Sequence, residues 1–174
     1  MRRPAQTLSE KMIKVDHVGE NGAVNIYRAQ ALMSAMFAPR LRAQLLDFQN
    51  HEQEHRKIFL GYLRKKGIRR CVSYHASGIG GFILGLVTGL IGQKAIFATT
   101  YAVENIVLDH LEHQMDYLAD ADVDAFDAVN QIYEDEKSHH DTAHAQLDTN
   151  SVLTKVIICT VKLCTNSVIR FGMR

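Results

Sequence analysis

One arrangement of charged residues occurs twice in this chain, and it restricts the possible folds more than any other feature. Glu20 precedes Glu52-Gln53-Glu54-His55 by the same offset at which Glu104 precedes Glu136-Lys137-Ser138-His139. The chain has eight Glu and nine His in 174 residues. Random placement would give about 0.4 Glu-x-x-His pairs, and a Glu at the same upstream offset from both has a chance probability of roughly 0.002. A repeated geometry is the economical cause.

On an α-helix, positions i and i+3 share a face, so Glu52 with His55, and Glu136 with His139, can each grip a single cation. The common separation of Glu20 from Glu52, and of Glu104 from Glu136, suits the path from the middle of one long helix, round a short loop, to the middle of its antiparallel neighbour. Four helices follow, two giving one Glu each and two giving Glu-x-x-His, which is the ligand layout of ferritin-like di-iron and di-manganese bundles. The predicted fold is all-α: one ferritin-like four-helix domain over residues 1–174, with an extra apolar, membrane-facing helical segment and a C-terminal amphipathic helix.

Composition agrees. A hydrophobic content of 47% suits a real core, and Pro4 and Pro39 are the only prolines. The net charge of +1 hides a partition: residues 1–70 carry 14 basic and 6 acidic side chains, residues 71–150 carry 2 and 13, and residues 151–174 carry 4 and none. Nothing in this pattern asks for nucleic acid. Cys71, Cys159 and Cys164 form no Cys-x-x-Cys, which argues against a disulfide framework or a thiolate metal site and for reduced thiols in a cytosolic compartment. The two N-terminal arginines precede no apolar segment, so no secretory signal is expected.

Along the chain, Thr7-x-x-Glu10 reads as a capping box opening a first helix that runs to about Pro39 and carries Glu20 between Gly19 and Gly22. Glycine there costs about 1 kcal/mol per residue relative to alanine, so bare backbone is wanted for close helix contact or access to the site. A second helix spans about Arg40 to Lys66 and ends at Gly67 as a C′ residue. Residues 71–93 bear no formal charge and place Gly81, Gly85 and Gly89 on one face. A single membrane crossing here would put the two halves of the ligand pattern on opposite sides. The stretch is therefore expected to lie against one leaflet or to pack as a tight core helix. The same helix continues through Lys94 and Glu104 to about Ala119. After an Asp-rich turn, a fourth helix carries Glu136 and His139 to near Asp148. Ser151 then caps a final segment with Lys155, Lys162 and Arg170 on one stripe, suited to an anionic membrane surface or to closing the core.

The chemistry follows from the residue types. Four buried carboxylates cannot all remain ionised without counter-charge, and two divalent cations would neutralise Glu20, Glu52, Glu104 and Glu136. Carboxylate and imidazole ligands admit iron or manganese. His17, one turn before Glu20, and His110, after Glu104, are left out of the ligand set as satisfied neighbours. His113, His140 and His144 are expected to be exposed, while Tyr27, Tyr101 and Tyr133 are candidates to flank the metals.

Asp16-His17-Val18-Gly19-Glu20-Asn21-Gly22-Ala23, Glu52-x-x-His55 with Phe59, Ala102-Val103-Glu104 and Asp135-Glu136-x-x-His139-His140-Asp141 together resemble the demethoxyubiquinone hydroxylase family, the Coq7 or Cat5 proteins of ubiquinone biosynthesis. The resemblance covers nearly the whole chain, and Val18 and Asn21 depart from it, standing where relatives have Ala and Tyr. It implies an O₂-dependent di-iron monooxygenase that hydroxylates the ring of a polyprenyl demethoxyubiquinol. Glu20, Glu52 and His55 would serve one iron, and Glu104, Glu136 and His139 the other, with Glu52 and Glu136 bridging. The chain has no flavin, haem or dinucleotide motif, so the electrons are expected from an external donor, NADH or a reductase, or through the quinol itself; a homo-oligomer or a ubiquinone-biosynthesis complex is a candidate assembly. The expected location is the cytoplasmic face of the inner or cell membrane, peripherally bound, or the matrix face in a mitochondrion. A ferritin-like iron-binding or storage protein and a peroxide-handling di-metal enzyme are the alternatives on the same helices. An apolar glycine-rich segment would be a liability on a storage shell.

Overall fold

The computed structural model describes residues 2–35 and 38–173, and among them there is no β-strand, only an isolated bridge between Arg3 and Ile68. The helices are α1 (Leu8–Ser34), α2 (Pro39–Lys65), α3 (Tyr74–Ile91), α4 (Gln93–Ala121), α5 (Val123–Asn130), α6 (Tyr133–Ala145) and α7 (Val152–Gly172). The all-α, ferritin-like bundle expected from the ligand spacing is what forms.

Local chemistry sets most boundaries. Thr7 Oγ1 accepts from the Glu10 N–H, and the Glu10 carboxylate accepts in return from the Thr7 N–H, completing the capping box. Arg3 donates to the same carboxylate at 2.8 Å, tying the N-terminal segment to the first turn of α1. Pro39 starts α2, where its missing N–H is harmless, and Gly67 follows its end at φ +68°. The Ser151 hydroxyl accepts from the Thr154 N–H and caps α7.

Three sequence expectations need correction. The first helix ends at Ser34 rather than near Pro39, and Met36 and Phe37 lie outside the described residues. The run from the apolar stretch through Glu104 is two helices, because Gly92 adopts φ +110° and turns the chain between α3 and α4. The helix expected to carry Glu136 is also two. Ile132, fully buried, donates its N–H to Val129 only three residues back, and this tightened turn separates α5 from α6 without a glycine or proline to announce it.

The duplication extends beyond the six Glu and His residues. α2 and α5 begin at Pro39 and Val123, the same offset that separates Glu52 from Glu136. In the first half α1 packs on α2 and α3 packs back on α1; in the second α4 packs on α5 and α6, and α7 packs back on α4. Ile13, Phe59, Leu63, Leu118 and Val129, all fully buried, close one end of the bundle, and Tyr27, Leu45, Phe48 and Ile96 close the other. The midsection between them is left for polar side chains.

α3 crosses α1 through its small residues. A Cβ on Gly81 would collide with the carbonyl of Gly22, and one on Gly85 with that of Ile26. Its opposite face shows Ile79, Ile83, Val87 and Leu90 to the outside. On α7, Ile157 and Val161 face inward, while Val152, Val156, Leu163 and Phe171 are exposed. Both helices are long and apolar enough to cross a membrane by length and composition. Of the alternatives foreseen for residues 71–93, tight packing is found on one face of α3, against α1, while the other face is left exposed.

Candidate metal centre

Helix periodicity and the antiparallel hairpins bring the six predicted residues to one level of the bundle. α1 presents Glu20, α2 presents Glu52 and His55, α4 presents Glu104, and α6 presents Glu136 and His139. None is more than 6% exposed. Ligand atoms of Glu20, Glu52, His55 and Glu136 all lie within 4.8 Å of one another, and so do those of Glu52, Glu104, Glu136 and His139. The two groups share Glu52 and Glu136.

These atoms face a common space rather than each other. His55 Nδ1 lies 2.9 Å from Glu136 Oε1, and His139 Nδ1 lies 3.1 Å from Glu52 Oε1. Even so, His55 Nδ1, His139 Nδ1, Glu52 Oε1 and Glu136 Oε2 make no well-formed hydrogen bond. Buried polar atoms without partners are rare in folded proteins, and a cluster of lone pairs aimed inward fits a bound cation.

Electrostatics point the same way. Burial and the neighbouring carboxylates push Glu20 and Glu104 well above the usual carboxylate range. Against the cost of burial, the carboxylates of Glu136 and Glu52 push His55 up to about 11 and His139 to about 10. The same two histidines hold Glu52 down despite its burial. Protein groups alone compensate four carboxylates only by trapping protons, and divalent cations relieve that strain directly. The cluster can hold a metal ion.

A surrounding layer orients the ring nitrogens. His55 Nε2 lies 3.2 Å from Asp135 Oδ2, and His139 Nε2 lies 3.0 Å from His51 Nδ1. The Tyr27 hydroxyl donates to Glu104 Oε1 at 2.6 Å. Sequence reasoning misses the roles of His51 and Asp135, although a signal exists: each immediately precedes the Glu of a Glu-x-x-His. Of the three candidate tyrosines only Tyr27 touches the cluster. Tyr101 stacks on His140 and His144, and Tyr133 bonds Glu112. His113 and His144 are exposed as expected, but His140 is half-buried beneath that stack. His17 is fully buried and stacks on Tyr74 at 4.9 Å, outside the two four-residue groups; contrary to the expectation that it and His110 are satisfied, neither of its ring nitrogens has a hydrogen-bond partner among the described residues and His110 Nε2 has none. Asn21 turns away from the cluster, accepting from Arg56 and donating to the Tyr74 carbonyl, both at 2.9 Å.

A cavity of about 560 Å³ opens onto the cluster between α1, α3, α4 and α7. Glu20, Glu52, Glu104 and Glu136 form its polar end, and Ala23, Ile26, Leu84, Val107 and Val168 are among its apolar walls. Asp16 and His110 also line it.

Fold and cluster together define a ferritin-like helical bundle with a buried carboxylate and imidazole centre able to hold metal. Residues 7–172 match the family described as "Ubiquinone biosynthesis protein COQ7", and the chain belongs to that family. It is 33% identical over 135 residues to the Dictyostelium discoideum "NADPH-dependent 3-demethoxyubiquinone 3-hydroxylase, mitochondrial", an alignment covering 75% of this chain and 60% of that protein. The mouse protein of the same name is 30% identical over 156 residues, covering 86% and 71%. The "3-demethoxyubiquinol 3-hydroxylase" of Rhodospirillum rubrum is 28% identical over 138 residues, covering 79% and 65%. The chain thus spans about three fifths to seven tenths of the length of these relatives.

Proposed function

We propose that this protein is an O₂-dependent di-iron hydroxylase acting on the aromatic ring of a polyprenyl demethoxyubiquinol. Glu20, Glu52 and His55 would hold one iron and Glu104, Glu136 and His139 the other, with Glu52 and Glu136 common to the two groups. The observation that carries this reading is two four-residue groups sharing two carboxylates at the end of an apolar cavity. When bound, such a metal pair supplies the oxygen activation that side chains cannot.

The chain supplies placement. Rigid helices fix the carboxylates in position before substrate arrives, and Tyr27 steadies Glu104 through its hydroxyl. The apolar cavity holds the ring near the cluster and keeps bulk water out. The outward apolar faces of α3 and α7 seat the protein peripherally on the inner or cell membrane, so the prenyl tail stays in lipid. Electrons come from an external donor, NADH or a reductase; several relatives are named NADPH-dependent, which supports a reduced nicotinamide as their source. The apolar cavity favours this reading over iron storage, which needs no ring-sized pocket.

Quinone profiling of a host lacking the gene is the direct test. The expected result is accumulation of a ubiquinone precursor without one ring methoxy group, restored to normal by the wild-type chain and by His113→Ala but not by Glu136→Ala. An unchanged quinone pool would discard the hydroxylase reading.

A further inference from the structure

Asp16 sits on α1 four residues before Glu20, so their side chains share one face of the helix about 6 Å apart along its axis. It lines the same cavity, at 9% exposure. One carboxyl oxygen, Oδ1, accepts a hydrogen bond of 3.0 Å from Gln114 Nε2. The other, Oδ2, is buried and has no partner. Gln114 is itself buried on α4, so the carboxyl is held in one orientation between the two long helices that carry Glu20 and Glu104.

A buried, oriented carboxyl oxygen without a partner costs stability, and proteins keep such groups mainly where a ligand completes them. The other buried polar atom without a partner in this lining, outside the Glu and His cluster, is His110 Nε2, six residues beyond Glu104 on α4; among the described residues of the lining, Asp16 alone is both unpartnered and clamped by a second side chain. We propose that Asp16 anchors a ring oxygen of the aromatic substrate, its free oxygen accepting a hydrogen bond from a phenolic hydroxyl while Gln114 holds the carboxyl in place. One helical turn between anchor and cluster matches the width of a substituted benzene ring. An oxygen fixed at Asp16 thereby presents the far side of the ring to the metal ligands. This inference rests on the substrate class proposed above. It adds a reason for the reduced ring to bind better than its oxidised form, which carries no hydroxyl.

The test is a cycle pairing a change in the protein with a change in the ligand, measured as anaerobic binding to the full-length, metal-loaded chain in detergent. The ligands are a short-tailed demethoxyubiquinol and its ring O-methyl ethers, one for each hydroxyl. The proteins are wild type, Asp16→Asn, which keeps the shape, and Asp16→Ala; helicity and iron content verify that each variant is intact. For wild type at pH 8.5, where the Asp16 carboxyl is ionised and can only accept, methylating one of the two hydroxyls is expected to weaken binding about tenfold or more, as suits a hydrogen bond to a charged group. For Asp16→Ala that difference should vanish, and for Asp16→Asn it should shrink. Equal losses in wild type and Asp16→Ala would overturn the anchor while leaving the hydroxylase reading intact. If wild type bound none of the quinols, the substrate class would fall and the anchor with it.

Discussion

His55 and Asp135, on different helices, meet at 3.2 Å through Nε2 and Oδ2, and Asp135 is the neighbour in sequence of Glu136. The second histidine repeats the arrangement, since the partner of His139 is His51, the neighbour of Glu52. Each Glu-x-x-His motif therefore supplies the residue that orients the other motif's imidazole. Such outer partners fix ring orientation and raise ligand basicity, and their loss commonly costs about 10–100-fold in metal affinity. Asp135→Ala and His51→Ala are expected to show losses of that size in competition with a chelator. Asp141→Ala, which removes only the exposed contact to His140, should leave affinity unchanged.

Removal of metal should destabilise the fold. The midsection holds four carboxylates at 6% exposure or less, and cation binding to the folded state alone adds stability by mass action. At metal concentrations a few hundred times Kd, the expected drop in Tm on chelation is about 10 °C for a chain of this size. Calorimetry before and after dialysis against chelator measures it, with restoration by ferrous iron under argon. Equal melting temperatures would mean that the cluster does not bind metal tightly.

Asp16 predicts a distinct dependence on pH. Burial raises its carboxyl from 3.8 to about 7, against the lowering effect of Gln114. A folded value above the unfolded one means that the native state binds the proton more tightly, so stability falls as pH rises from 3.8 to about 7 and stays reduced above that. The full cost is of order 4 kcal/mol. Asp16→Asn carries no such cost, so the variant should unfold at higher denaturant than wild type at pH 8, with the gap closing toward pH 4. A constant gap across that range would show that Asp16 does not titrate as its burial requires.

The sequence revealed the centre better than its surroundings, for a physical reason. A cluster able to hold metal demands fixed residue types at fixed helical spacing, so the meeting of Glu20, Glu52, His55, Glu104, Glu136 and His139 in one buried group was legible in the sequence. The capping box at Thr7, the proline at the start of α2 and the glycine after its end were legible because each acts on the backbone locally. The break at Ile132 was not, since it is imposed by packing of a buried aliphatic side chain and leaves no turn residue behind. The pairing of Asp16 with Gln114 was equally hidden, because 98 residues separate them and neither belongs to a spaced pattern. Only the crossing of α1 and α4 brings them together.

The two faces of α3 should respond oppositely to mutation. Ile79, Ile83 and Val87 are each more than half exposed and form one stripe, while Gly81 and Gly85 lie against the α1 backbone. Exposed aliphatic side chains contribute little to folding, yet each gives about 1.5–3 kcal/mol when transferred into an apolar phase. Replacing all three with serine is therefore expected to leave Tm within a few degrees of wild type while lowering partition onto anionic phospholipid vesicles at least about tenfold. Gly85→Val should do the reverse, because its new carbons meet the Ile26 carbonyl and must push the helices apart, at a cost of about 1–3 kcal/mol or more. A vesicle flotation assay and a thermal melt on both variants separate the effects. If the serine variant melted far below wild type and still floated with the vesicles, the stripe would be an unrecognised part of the core rather than a membrane-facing surface.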